Sequence, residues 1–432
     1  MYMLESHLSP EQSRVVTEVE AAAARANVTL FLTGGAMRDM FAGQPVRDLD
    51  FTVEGNALKL ARSLTQKSPV RIVSEDEERK AAEMLFPSGI RAAITMAHQS
   101  RYPKPGGKPR VQPATIHEDL RGRDFSVNSI ALSLNRASRG LLLDPNNGLG
   151  DLERKEMRAN GNYTLYDEPV RLLRLIRLKV RLGFGIEERT QLQYENAREA
   201  KMEEQIAPRL LFEELRQASD EPNPGLLVET LEKERLLGLF HPSLTGPKLN
   251  LTGLAKLQKA RQVIPYGVRF HAEGLGLFLH FLNEKLSGPE RRELIARVHM
   301  RKPEAAQWQR LESQARQLER SLKSAKLHKP SELYQVLRSA PGELALFLLL
   351  RSDHRMVQDR IRNYLQKYLP AAQEITPQDV IAAGAQPGTA KYNKLRDELI
   401  RARLDARAKK PEPPPEEVPA AGPAPKLATA RR

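Results

Sequence analysis

The sequence predicts an α+β protein in which an N-terminal mixed-sheet head precedes an all-helical remainder. Two observations carry this: the chain changes texture near residue 150, and apolar residues recur with a different period on either side. Before the change, short runs rich in β-branched and aromatic residues (28–33, 49–53, 70–73, 89–96, 130–134 and 140–143) alternate with helical stretches, the pattern of a small mixed sheet. After it, helical spacing predicts helices over 163–183, 189–218, 224–238, 252–262, 266–284, 288–299, 304–323, 330–340, 342–369 and 390–408. From Lys409 onward seven prolines fall between 411 and 425 with little to bury, which predicts a disordered, proline-rich basic tail. The expected divisions are a head over 1–150, a helical neck over 151–235, a helical body and tail over 236–408, and the disordered segment 409–432.

Within the head, the run from Phe31 through Gly34, Gly35, Arg38 and Asp39 to Asp48, Asp50 and Val53 reads as strand, glycine turn, short helix, strand. Residues two apart on a strand share a face, so Asp48 and Asp50 can hold the same divalent cations between them. Two carboxylates completed by substrate phosphates and water are the usual setting for Mg²⁺, and a metal pair can stabilise both attacking and leaving oxygens in phosphoryl transfer. Gly34 and Gly35 lack a Cβ, so the backbone can approach a triphosphate, and the amides opening the next helix are expected to point toward it. Spacing alone would equally suit a solvated turn; the β-rich context of Leu49, Phe51 and Val53 disfavours that reading.

This segment resembles the head-domain signature of the class II tRNA nucleotidyltransferase and bacterial poly(A) polymerase family, Gly-Gly-x-x-Arg-Asp followed by Asp-x-Asp. Further blocks follow in the family's order. Glu118 to Ala131, with Arg123, Asp124 and Asn128, resembles the segment that shapes the ribose and triphosphate pocket. Leu143 to Arg158, with Asp144, Gly148 and Asp151, resembles the linker between head and neck, and Asp167 to Phe184 resembles the stretch that recognises the incoming base. Ile375 to Leu404 is similar, more loosely, to a helical segment near the C-terminus of many members. The resemblance covers roughly 28–235 strongly and 375–404 loosely. It implies a polymerase-β-like nucleotidyltransferase head, with Arg38 on phosphates.

The base-recognition block also has a logic of its own. Pro169 suits a first helical turn, and at about 100° per residue Arg171, Arg174, Arg177 and Arg181 share one side while Leu172, Leu175, Ile176 and Val180 share the other. Such a basic face is as often a solvated surface as a binding one. Glu168 and Arg171, one turn apart, can address one base edge: the carboxylate accepts from an exocyclic amino group and the guanidinium donates to the neighbouring ring nitrogen. Cytosine and adenine present that pattern, whereas uracil and guanine do not, so the site is expected to take CTP and ATP. Arg174 is the expected helper, with Asp167 beside Glu168.

This chain departs from the family pattern in several places. Relatives usually carry an acid at the position of Ala93, a third carboxylate near the primer hydroxyl, and Gly122 replaces the first arginine of a pair. The acids at 167–168 are exchanged, which lengthens the reading arm by one methylene. The segment 71–83, expected to hold a flexible loop between strands, is unusually charged.

Composition agrees with a polyanionic partner: 68 Lys and Arg stand against 54 Asp and Glu, a net charge of +14 over 432 residues. Aromatics are only 5%, which favours recognition of a folded RNA's backbone shape over stacking on a long single strand. The absence of cysteine excludes disulfides, thiolate metal sites and thiol nucleophiles. Residues 344–350 form too short an apolar run to span a membrane, and the N-terminus lacks the pattern of a secretory signal, so no membrane partner and a cytoplasmic address are expected. The expected activity is template-independent addition of nucleotides from CTP and/or ATP to the 3′ end of RNA, foremost the CCA end of tRNA. An A-adding enzyme, a poly(A) polymerase, or an RNA-binding protein with a decayed head are the alternatives.

Overall fold

The computed structural model describes residues 2–406; the tail expected at 409–432 lies outside the described residues. Nine strands lie in the first 143 residues: β1 Thr29–Thr33, β2 Leu49–Glu54, β3 Arg71–Asp76, β4 Ala81–Leu85, β5 Arg91–Met96, β6 His98–Arg101, β7 Arg110–Pro113, β8 Ala131–Ser133 and β9 Leu142–Leu143. Seven of them form one sheet in the order β3-β4-β5-β2-β1-β8-β9, while β6 and β7 make a separate hairpin. The sheet is mixed, as the sequence predicts, because β2 runs parallel to β5 and antiparallel to β1. The parallel pair requires a crossover, and the helix Ala57–Lys67 begins it.

Alternation on β2 sorts the two faces of this sheet. Leu49, Phe51 and Val53 are fully buried against the apolar core, whereas Asp50 and Thr52 point to the other face and line a cleft. The helix Pro10–Ala26 covers the core side, and its Gln12 Nε2 donates to the Val46 carbonyl at 2.8 Å, fixing the loop that leads into Asp48.

The structure corrects several expectations about regular structure. Residues 71–83, expected to hold a flexible loop between strands, are largely strand, and the connection is short: β3 and β4 form a hairpin joined by residues 77–80. As the edge of the sheet, β3 needs no apolar outer face, and charge there blunts edge pairing, so its alternation is weak. The long helices are broken. The expected 163–183 helix divides into Thr164–Asp167 and Val170–Leu182 around Glu168 and Pro169. The 189–218 helix divides where Lys201 takes a left-handed conformation, at φ 52°, and Pro208 starts the next helix. In 266–284 only Gly274–Leu282 is helical, and 342–369 breaks at Ser352 to His354. Among the described residues no single helix is long and apolar enough to cross a membrane.

The basic face of Val170–Leu182 turns inward onto acidic partners, with Arg174 its more exposed member. Arg174 Nη1 reaches Asp124 Oδ2 of the head at 2.8 Å, and its Nε reaches Glu214 Oε1 on the helix Pro208–Ser219 at 3.2 Å. Arg177 continues the ladder, bonding Glu214 Oε2 at 2.9 Å and Glu221 Oε1 at 3.0 Å. Although burial opposes it, Arg174 with Arg171 holds Asp124, and Arg177 with Arg174 holds Glu214, below the usual carboxylate range. A buried ion pair adds little net stability compared with an apolar pair, but losing one partner strands a charge. Glu214→Ala is therefore expected to lower stability by about 3–5 kcal/mol.

Because these folded-state pKa values are depressed, the associated stability is present above the ordinary carboxylate range and is lost as pH falls below it. Urea denaturation at pH 7 and at steps down to pH 3 should show stability declining with acid, and the decline should be shallower in Asp124→Asn. An unchanged pH slope in that variant would remove the ladder as its source.

Candidate active site

The cleft between the sheet and Val170–Leu182 has a volume of about 520 Å³. Asp50 and Ala93 lie on its floor as register partners on neighbouring strands, and Asp48 precedes β2 at the open end, where solvent reaches it. Gly34 and Gly35 open the helix Gly34–Phe41 directly after β1, because Thr33 pairs with Asp50 and the chain must turn at once.

This turn gives one of the two glycine amides a partner within the chain. The Gly35 N–H donates to Asp50 Oδ2 at 2.9 Å, so it orients the carboxylate instead of pointing at open space. A Cβ on Gly34, whose φ is 63°, would stand 3.0 Å from that same oxygen; on Gly35 it would stand 3.2 Å away. Glycine is required here by the carboxylate's closeness as much as by the turn.

Eight carboxylates line the cleft, and two differ from the rest. Asp39, Asp119, Asp124, Glu168, Glu213 and Glu214 are each in an ion pair. Among the described residues neither Asp48 nor Asp50 has a basic nitrogen within 4.0 Å. Burial, reinforced by the charge of Asp48, pushes Asp50 up to about 6. Burial also raises Asp48, with Arg47 and Arg91 opposing it. Two acids held together without a cation of the chain's own form a site that a bound cation would relieve, and the all-oxygen donor set suits a hard ion. Among the described residues no group of three or more His, Asp or Glu converges as a ready-made metal cage. Beside Asp50, Ala93 presents a methyl group and no carboxylate; Glu83, its register partner on β4, has its carboxylate 3.5 Å from Arg216.

The arginines on the walls divide by how they are held. Arg123 is bound to the scaffold through Asp119, the Asn128 carbonyl, Thr33 and Thr52. Arg38 donates to Asp39 and, through Nη1, to Asn128 Oδ1 at 2.7 Å. Asn128 in turn donates to Asp124 at 3.0 Å, so these motif residues form one connected wall. Glu168 and Arg171 pair at 3.0 Å, and the Arg171 guanidinium lies 6.0 Å from the Tyr102 ring centre. Against burial, Arg171, Arg174 and Arg79 keep Glu168 below its usual range.

The cleft gathers Gly34, Gly35, Arg38, Asp48, Asp50, Arg123, Asp124, Asn128, Glu168, Arg171 and Arg174; Asp167 does not line it. Sequence reasoning missed Arg79, which leaves the β3–β4 turn and meets Glu168 Oε1 at 2.9 Å. It missed Tyr102 and Glu214 as well. Nothing in the charged segment 75–80 marks Arg79 out, since its partner is 89 residues away.

A family model described as the poly A polymerase head domain matches residues 30–158. The A-adding tRNA nucleotidyltransferase of Aquifex aeolicus is 28% identical over 346 residues, 78% of this chain and 40% of that protein. The CC-adding tRNA nucleotidyltransferase of Deinococcus radiodurans is 35% identical over 203 residues, 47% of this chain and 53% of that one. The chain spans about half the length of such curated relatives. A solved structure titled as CCA-adding enzyme apo form II shares the fold, with a TM-score of 0.53, 23% identity and 94% of each chain covered.

The crowding at Gly34 yields a direct test. Gly34→Ala should cost more stability than Gly43→Ala: both sites have positive φ, worth about 1–2 kcal/mol of strain in a residue with Cβ, but nothing lies within 4 Å of a Cβ at Gly43. The excess should vanish when both substitutions are repeated in an Asp50→Ala background. Equal costs in the parent chain would mean that the carboxylate does not press on the turn.

Proposed function

We propose that this chain, which carries a poly A polymerase head domain and is related to tRNA nucleotidyltransferases, adds nucleotides from CTP and/or ATP to the 3′ end of RNA without a template, foremost the CCA end of tRNA. The single observation behind this is the unpaired couple Asp48 and Asp50 in a cleft whose other acids are all ion-paired. The residues support a division of labour in which 1–150 is the catalytic head, 151–235 the neck and 236–408 the body and tail.

Asp48 and Asp50 would hold Mg²⁺, which supplies charge stabilisation to the attacking 3′-hydroxyl and to the departing pyrophosphate. The Gly35 amide orients Asp50 for that task. Arg38 faces the triphosphate, while Asp124 and Asn128 fix the wall along which sugar and phosphate lie, with Arg123 bracing the strands behind them. Glu168 and Arg171 read the base edge, Arg174 ties them to the head, and Asp167 stands outside the contact. Arg79 shares the Glu168 carboxylate, which a base with an exocyclic amino group would also address. The net positive charge supports binding of the RNA backbone, and a tRNA-processing role is consistent with a cytoplasmic address. A second reading, restriction to ATP, is favoured by the relatives named A-adding from Aquifex aeolicus and Geobacter sulfurreducens.

Purified protein with Mg²⁺ should be incubated with tRNAs ending before C, after CC and after CCA, one nucleotide at a time, and the products sequenced. Addition of A only to the CC end selects the second reading. Asp48→Ala and Asp50→Ala should each abolish addition while leaving tRNA affinity nearly unchanged, because RNA contact lies on other surfaces. RNA binding with no addition under any divalent metal would favour an RNA-binding protein with a decayed head. Arg171→Ala should depress CTP and ATP use and relax discrimination against UTP and GTP. If all four nucleotides weaken equally, Arg171 does not read the base.

A further inference from the structure

One head–neck contact points beyond the ladder and into the cleft wall. Arg181, at the end of Val170–Leu182, has only 3% of its side chain exposed, and Nη2 donates to Asp39 Oδ2 at 2.5 Å. Among the described residues its Nε and Nη1 have no hydrogen-bond partner, nor does Glu221 Oε2, which stands 3.9 Å from Nη1 as a distant ion-pair partner. A guanidinium buried only for cohesion would spread its donors over several acceptors, since each donor left dry carries a desolvation cost. This one is committed to a single carboxylate oxygen.

Asp39 passes the constraint on. Its other oxygen, Oδ1, accepts from Arg38 Nε at 3.0 Å and Nη2 at 2.8 Å, while Arg38 Nη1 is held by Asn128. Three of the five Arg38 N–H groups are thus used by the protein, and two remain for the cleft that Arg38 lines. Arg38 is nearly buried, so Asp39 and Asn128 together set the plane of its guanidinium.

We propose that Asp39 and Arg181 are positioning residues for Arg38: the neck guanidinium fixes the Asp39 carboxylate, and that carboxylate aims the remaining Arg38 N–H groups at the nucleotide's phosphates. The inference rests on the reading of Arg38 as a phosphate contact. It makes triphosphate binding depend on how the neck seats against the head. It also separates two jobs of one helix, since Arg171 at its start meets the base and Arg181 at its end acts on the phosphates through two intermediaries. Removing Arg181 should then weaken every nucleotide alike, whereas removing Arg171 should alter choice among them.

The full chain carrying Arg181→Met, Arg181→Lys, Asp39→Asn, Arg38→Gln, or Arg38→Gln with Arg181→Met should be assayed for binding of ATP and CTP with Mg²⁺ and for kcat and KM of addition. Folding is checked by urea denaturation. Arg181→Met is expected to weaken both nucleotides about 10-fold, as loss of a charged hydrogen bond would, raising KM more than it lowers kcat and leaving nucleotide preference unchanged. Arg181→Lys should restore part of the loss, because one donor to Oδ2 suffices. In the Arg38→Gln background Arg181→Met should add nothing further. Normal nucleotide binding by Arg38→Gln would defeat the phosphate-contact reading itself. Weak binding by Arg38→Gln with normal binding by Arg181→Met, or losses that simply add in the double variant, would overturn the positioning role and leave Arg181 a structural tether. If Arg181→Met does not fold, Asp39→Asn, equal in size, carries the same readout.

Discussion

The buried ladder of Asp124, Arg174, Glu214, Arg177 and Glu221 is the constraint on which the cleft depends. Its members come from the head, the helix Val170–Leu182, the helix Pro208–Ser219 and the turn after it. A charge removed from water must meet its counter-charge in good geometry, so each pair fixes a distance between elements that apolar contact alone would leave adjustable. The ladder thereby holds Glu168 and Arg171 opposite the floor of the sheet.

Two kinds of carboxylate share this small volume. Those matched to guanidiniums, such as Asp124, Glu168 and Glu214, are held in their charged form. Asp50 is raised instead, by burial and by the charge of Asp48, and Asp48 is raised by desolvation, with no guanidinium among the described residues in contact with either; Asp39 is raised by burial too, although Arg38 and Arg181 hold it. The contrast is organised: surrounding acids neutralise the arginines, and the unmatched negative charge is concentrated at one end of the cleft. Sites that perturb ionisable groups in this way are where chemistry is most often found.

The central strands were legible because Leu49, Phe51 and Val53 alternate with Asp50 and Thr52, a pattern that one buried face imposes. Elsewhere the signal was weaker: β3 was legible only at its start, and β6 and β7 are polar and exposed enough that period and propensity give little signal. Helices were legible as apolar periods, but their breaks depend on single residues, such as Lys201 in a left-handed conformation, that leave the period intact on both sides. The motif residues of the site came together as their spacing implied, except Asp167. The inward turn of Arg174, Arg177 and Arg181 was hidden because their acidic partners lie between 37 and 142 residues away, and no local pattern joins Arg177 to Glu214 or Arg181 to Asp39. The function of the glycine pair was half visible: the turn was expected, but the pressure of Asp50 on it is a tertiary fact.

Burial of the ladder also gives the molecule two different responses to ionic strength. In the proposed function, exposed lysines and arginines would meet RNA phosphates through solvent, where added salt screens them over a Debye length of about 10 Å at 0.1 M. Arg177, Glu214 and Glu221 are largely shielded from mobile ions, with side-chain exposures of 9%, 6% and 3%, so salt reaches them far less. On that proposal, raising the ionic strength would loosen the grip on a polyanion without loosening the frame that shapes the cleft, so that release of a long charged ligand would be separated from any distortion of the site.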